Sequence, residues 1–164
     1  MNQNGVDGQV VNHVEVSNLT AFPIRAERVQ RLAEAVLTQE GVAGLVSIAF
    51  VQTEEMARLN RDYRGVEGAT DVLSFGGSAE DEAWPNPEGS EEEDYLGDVV
   101  IAPGVAVQNA AADEIPPSLE LATLVTHGLL HLVGYDHETD GGEMLARQEA
   151  LLSRLWEDSA KDLI

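Results

Sequence analysis

The chain lacks cysteine altogether, and it is poor in basic and aromatic residues. Without cysteine no disulfide can form, and any bound metal ion must be held by His, Asp or Glu side chains. Only 9 Lys and Arg residues stand against 30 Asp and Glu residues, which gives a net charge of −21. A surface this acidic repels nucleic acids in general, so a role with RNA requires a local site of positive charge.

Long apolar runs are also missing. No stretch approaches the roughly 20 apolar residues of a membrane helix. Residues 1–16 show no basic segment followed by an apolar one, which a secretory signal would need. We therefore expect a soluble cytoplasmic protein without a membrane partner, and the length of 164 residues predicts a single domain over 1–164.

Hydrophobic periodicity predicts short strands that alternate with amphipathic helices. Strands are predicted at 10–16, 45–52, 71–75 and 97–102, and helices begin at Pro23, Thr53, Pro103, Pro116 and Gly142. The helix from Pro116 is apolar on every side, which predicts that it is buried. This order indicates an α+β fold, in which helices cover a small mixed sheet of about four strands and the buried helix is central.

An acidic segment separates the last two predicted strands. Eight Asp and Glu residues lie between Gly76 and Asp94, together with two prolines and several glycines. Such a composition is typical of a solvated loop. We predict that residues 76–95 are a loop insertion in the single domain.

Three of the four histidines lie within the twelve residues THGLLHLVGYDH, 126–137. His127 and His131 share one helix face, and Gly134 can end the helix so that His137 returns toward them. Three imidazoles can bind one metal ion and leave a fourth position for water, which is the arrangement of catalytic sites. Zinc is the first choice, although nickel or copper fits the same ligands. The alternative is three core histidines that bond to backbone carbonyls, since three unpaired rings would be costly to bury.

A glycine follows the first histidine of this segment. The spacing is similar to that of the metzincin metalloproteases, His-Glu-x-x-His-x-x-Gly-x-x-His, whose glutamate is the general base. Here Gly128 takes that place, so peptidase chemistry lacks its proton acceptor. Because glycine within a helix costs about 1 kcal/mol relative to alanine, we hypothesise that Gly128 clears room beside the metal for a bulky substrate.

Three segments resemble the YbeY family of bacterial rRNA maturation factors: HGLLHLVGYDH (127–137), LNRDYRGVEGATDVLSF (59–75) and LGDVVIAP (96–103). The resemblance implies a zinc-dependent, single-strand-specific endoribonuclease that acts in 16S rRNA 3′-end maturation and ribosome quality control. Its implied partners are single-stranded rRNA and small-subunit ribosomal proteins, not DNA. By position, the resemblance implies that His127, His131 and His137 hold one zinc ion and that Arg64 is catalytic.

Two other functions fit the same residues. The chain is alternatively a ribosome-assembly binding factor whose metal is mainly structural, or a metallohydrolase of another substrate class. Asp71 and Asp98 are candidates to orient a histidine ligand or to hold Arg64. Phe75 and Tyr135 either stack on an unpaired base or belong to the core.

Overall fold

Four strands and five helices make up most of the part of the chain that the computed structural model describes, residues 12–76, 95–135 and 140–164. The strands are β1 (Asn12–Asn18), β2 (Gly44–Phe50), β3 (Val72–Gly76) and β4 (Tyr95–Ile101). The helices are α1 (Ala26–Gln39), α2 (Thr53–Arg64), α3 (Pro103–Asp113), α4 (Pro117–Leu132) and α5 (Glu143–Leu155), and a π-helical turn (Trp156–Ala160) follows α5. The predicted order of elements and the α+β class are confirmed.

The strands form one mixed sheet in the order β1-β2-β4-β3. β1, β2 and β4 are parallel, with Val14 opposite Val46 and Val46 opposite Gly97. β3 runs antiparallel to β4 at one edge of the sheet, with Ser74 opposite Val99. The predicted acidic insertion falls between these two strands, and its residues 77–94 lie outside the described residues.

The sheet carries a larger core on one face and a smaller one on the other. On the larger side, Leu32 of α1, Leu129 of α4 and Leu151 of α5 pack in one cluster with Ile48 and Val99 of the sheet, and all five are almost fully buried. α4 contacts α1, α3, α5, β3 and β4, so its apolar sequence on every side has neighbours to bury it.

The smaller core lies between α2 and the β3–β4 half of the sheet. Met56 and Leu59 of α2 pack there with Leu73 and Phe75 of β3 and with Val100 of β4. The alternation of side chains along β3 therefore sends Leu73 and Phe75 toward α2. Among the described helices, none is long and apolar enough to cross a membrane.

The start of α1 differs from the prediction, since the helix begins at Ala26 rather than at Pro23. Side-chain bonds hold the preceding segment in a turn: Asn18 Oδ1 accepts from Thr20 N at 3.0 Å, and Thr20 Oγ1 accepts from Phe22 N at 3.1 Å. Asn and Thr side chains bonded in this way compete with helical hydrogen bonds. Pro23 consequently lies in the turn and not in the first helical position.

Candidate active site

An open cleft of about 620 Å³ lies between β3, the C-terminal half of α4 and the segment that joins α2 to β3. Its lining includes Arg64, Asp71, Ser74, His127 and His131. Arg64 lies at least 63 residues before His127 and His131 in the chain. The fold brings this arginine and two of the three histidines that the sequence singled out to one cavity.

His127 and His131 lie one turn apart on α4. Their ring centroids are 4.8 Å apart, and the rings are nearly perpendicular, at 80°. Nδ1 of His127 lies 3.0 Å from Oε1 of Gln148 in α5. With Oε1 of Gln148 as the acceptor, this contact suits the His127 tautomer that carries a proton on Nδ1 and has a lone pair on Nε2. Metal-binding histidines characteristically have this kind of hydrogen bond on the nitrogen that does not face the metal.

Gln148 is a site residue that the sequence reasoning did not identify. Its side chain is buried, with 8% exposure, on the face of α5 that also carries Met144 and Leu151. A single polar residue on an otherwise apolar helix face is the available sequence signal, because a buried polar group needs a hydrogen-bond partner. The sequence does not show that the partner is His127, 21 positions earlier.

The chain turns back directly after His131. Gly134 adopts a left-handed conformation, with φ +116°, and its N–H donates to the carbonyl of His131 at 3.1 Å, while Tyr135 N donates to Leu130 O at 3.0 Å. The predicted glycine turn is confirmed. His137 lies outside the described residues; within them, no three His, Asp or Glu side chains form a metal-binding group. The three-histidine site stays a prediction.

Gly128 faces the sheet and not the cleft. A Cβ atom at this position would lie 2.7 Å from Cγ1 of Val99 and 3.2 Å from Oγ of Ser74. Ser74 Oγ donates a hydrogen bond to the Gly128 carbonyl at 3.2 Å. The hypothesis that Gly128 clears room for a substrate is therefore wrong. Glycine fits here because α4 approaches the strands so closely that even a Cβ atom would overlap Val99 unless that side chain shifted.

Arg64 is the last residue of α2, and it is exposed at the cleft. Gly65 ends the helix in the left-handed conformation, with φ +70°. One turn earlier, Arg58 and Arg61 both pair with Asp62, each at 3.2 Å. Among the described residues, Arg64 has no ion-pair partner within 4.0 Å, and its side chain lines the cleft.

The two candidate acids occupy different places. Asp71 lines the cleft, where it accepts long hydrogen bonds of 3.5 Å from Thr70 Oγ1 and Asn109 Nδ2. Asp98 is buried in β4 and accepts a hydrogen bond of 2.5 Å from the Tyr95 hydroxyl. Burial and this bond to Asp98 raise the pKa of Tyr95, so that the phenol stays protonated as a donor.

Asp71 makes its wall of the cleft negatively charged, and two further acidic residues that do not line the cleft lie near it. Burial, and then the charges of Asp71 and Asp113, raise the pKa of Glu120 on α4, although a hydrogen bond from Asn109 opposes the shift. An anionic substrate is repelled by this wall and attracted by Arg64. The cleft is therefore electrically polarised, which would orient a bound phosphate toward the arginine.

Tyr135 and Phe75 have different surroundings. Phe75 is 5% exposed in the smaller core, so the alternative that assigns it to the core is confirmed. Tyr135 lines the cleft, and its hydroxyl donates to Oε1 of Glu40 at 3.2 Å. The other oxygen of Glu40 pairs with Nε of Arg147 at 2.5 Å. This network ties the chain just beyond α4 to the ends of α1 and α5.

Comparisons with known proteins agree over most of the chain. The family model described as Endoribonuclease YbeY matches residues 13–156. A curated relative named Endoribonuclease YbeY from Roseiflexus castenholzii is 40% identical over 154 residues, which is 91% of this chain and 95% of the relative. Another of that name, from Chloroflexus aggregans, is 44% identical over 151 residues, 87% of this chain and 95% of the relative.

A solved structure has the same fold. The solution structure of TM1509 from Thermotoga maritima matches with a TM-score of 0.61 and 26% sequence identity, and the match covers 88% of this chain and 90% of that one. The family match spans every cleft residue named above.

Proposed function

This chain belongs to the Endoribonuclease YbeY family, and on that basis we propose that it is a zinc-dependent endoribonuclease specific for single-stranded RNA. We further propose that it acts in the cytoplasm in 16S rRNA 3′-end maturation and ribosome quality control, with small-subunit ribosomal proteins as partners. The observation that carries the proposal is the cleft shared by His127, His131 and Arg64.

The donor set fits zinc. His127 and His131 offer two imidazoles at close range, and Gln148 is placed to favour the His127 tautomer whose Nε2 can bind a metal. We propose His137 as the third ligand on the basis of its sequence position. A zinc ion with three histidine ligands supplies Lewis acidity for a phosphate oxygen and lowers the pKa of a bound water to about 7.

Arg64 is proposed to hold the scissile phosphate. A guanidinium group binds two phosphate oxygens at once, and it remains charged at any working pH. Negative charge develops on those oxygens during cleavage, so a fixed cation at this point lowers the barrier. The negative wall at Asp71 disfavours binding of the phosphate in the opposite direction.

The test is cleavage of an unstructured, end-labelled RNA by the purified protein and three variants, with elemental analysis of each. We expect the wild type to contain stoichiometric zinc, and His131→Ala to lose both zinc and activity. Arg64→Glu should keep its zinc and fold but lose cleavage. Arg61→Glu is the matched control on the same helix, because Arg61 is exposed and already paired with Asp62; it should retain activity.

Two results would contradict this function. Cleavage that survives both His131→Ala and a chelator would mean that another nuclease contaminates the preparation. RNA binding by a zinc-loaded protein without any cleavage would favour the binding factor with a structural metal. A base-paired RNA of the same length serves as the control for strand specificity, since the proposal requires that it be cut much more slowly.

A further inference from the structure

Two exposed apolar side chains flank the arginine of the cleft. Tyr63 is 45% exposed and Val66 is 46% exposed, and they stand on either side of Arg64 and Gly65 in the sequence. Large apolar residues at this level of exposure are few in the described part of the chain; the others are Leu19 and Leu145. Two of the four therefore lie within four residues of sequence, on either side of the Arg64 that lines the cleft.

The Tyr63 ring packs against a buried aromatic ring. Its centroid lies 5.9 Å from that of Phe75, and the rings meet edge to face at 77°. Phe75 is itself immobilised in the smaller core and belongs to β3, the strand that lines the cleft. An aromatic ring that contacts a buried neighbour and remains partly exposed offers a surface for stacking, and the contact reduces the freedom that the ring loses on binding.

The segment that carries Val66 is also fixed. Asn60, a buried residue of α2, donates from Nδ2 to the carbonyl of Gly68 at 2.8 Å, and its own carbonyl accepts from Val66 N at 3.3 Å. Gly65 makes the required left-handed turn between them. Val66 is thus a fixed part of the surface beside Tyr63 and not the tip of a free loop.

We propose that Tyr63 and Val66 form a base platform, on which an unpaired nucleobase of the RNA strand stacks while Arg64 contacts a phosphate of that strand. This inference rests on the proposed function and adds the group that distinguishes single-stranded RNA from base-paired RNA. An aromatic side chain stacks on any unpaired base, whereas the faces of a base within a duplex are already covered by its neighbours.

Because the chain is strongly acidic, a contact that does not depend on positive charge is important for RNA binding. Most proteins bind RNA largely through Lys and Arg contacts to phosphates, but this chain has only 9 such residues against 30 acids. Stacking contributes affinity that does not depend on positive charge. A protein partner is a weaker explanation, because a stable protein interface buries roughly 800 Å² on each side, and two side chains supply only a small part of that.

The experiment measures RNA affinity and cleavage separately. Two labelled probes are used: an unstructured RNA and an abasic oligonucleotide of the same backbone and length. Each is titrated with wild type, Tyr63→Ala and Tyr63→Phe by fluorescence anisotropy at low temperature, which slows cleavage. Gels confirm that the probes stay intact. Leu145→Ala is the matched control, since Leu145 is 51% exposed on α5. Tyr63→Ala should weaken binding of the base-containing RNA by about 5- to 150-fold.

The abasic probe separates stacking from a general effect on the fold. Wild type and Tyr63→Ala should bind the abasic probe with the same affinity. Tyr63→Phe should retain most of the affinity for RNA, and Leu145→Ala should bind both probes as wild type does. Equal weakening of both probes by Tyr63→Ala would overturn the platform, because the ring would then only support Arg64. Normal RNA affinity of Tyr63→Ala, with reduced binding to purified small ribosomal subunits, would overturn it in favour of a protein contact. If wild type neither binds nor cuts RNA, the proposed function fails and the platform fails with it.

Discussion

Gly128→Ala tests whether the glycine beside His127 serves packing. The added Cβ would lie 2.7 Å from Cγ1 and 3.1 Å from Cγ2 of Val99, both well inside the ordinary contact distance of about 3.5–4.0 Å. Val99 is fully buried and β-branched, so it cannot rotate away easily. Overpacking of this kind costs about 1–3 kcal/mol, and alanine recovers about 1 kcal/mol of helix propensity.

The net expectation is a loss of about 1 kcal/mol in the free energy of unfolding, or roughly 2–4 °C in Tm for a domain of this size. Thermal and urea unfolding of the purified variant would measure it. A double-mutant cycle with Val99→Ala isolates the contact, because the smaller residue removes both methyl groups that the new Cβ would meet. In that background, Gly128→Ala should be neutral or stabilising.

Two results would refute the packing argument. An equal loss from Gly128→Ala in the Val99 and Val99→Ala backgrounds would show that the contact with Val99 is not the cause. Wild-type stability combined with a loss of RNA cleavage would instead restore the idea that the glycine makes room for a substrate. Far-ultraviolet circular dichroism of each variant would check that α4 remains helical.

Two further predictions concern polar groups around the cleft. Gln148→Leu removes the acceptor for His127 Nδ1 and should weaken zinc binding about 10- to 100-fold in a chelator competition. Gln148→Glu keeps an acceptor and should bind zinc as the wild type does. Equal zinc affinities for all three proteins would contradict the proposed role of Gln148 in orienting His127. Glu120→Gln should raise Tm at neutral pH. Burial and the charge of Asp71 raise the Glu120 pKa in the folded state, so ionisation costs stability above that pKa and the cost disappears as the pH falls below it. A Tm difference that persists in acid, where Glu120 is protonated, would exclude this cause.

Short-range patterns determined much of the site. The spacing of His127 and His131 placed both rings on one helix face, because side chains four residues apart on an α-helix are neighbours. Gly65 and Gly134 marked the turns after Arg64 and after His131, since glycine adopts positive φ without strain. These features depend on backbone geometry within a few residues, and that geometry is the same in any fold.

The role of Gly128 was misjudged for the opposite reason. The sequence shows that a glycine interrupts an apolar helix, but whether the free space faces a substrate or another element depends on how the helix is rotated against the sheet. The structure places Val99 and Ser74, which come 29 and 54 residues earlier, against this position. Hydrophobic periodicity depends only on residues that are close in sequence, so it does not predict packing against distant ones.

The amino-acid sequence by itself determined the order of strands and helices, the burial of α4 and the position of two histidines on one of its faces. All three follow from patterns of residue spacing that are shorter than eight residues. Only the tertiary structure decided that β3 lies antiparallel at the edge of the sheet, that Gln148 holds His127, and that Arg64 stands at the same cleft as the two histidines. Those contacts join residues that are far apart in the chain, and they exist only once burial of apolar surface has fixed how the helices pack on the sheet.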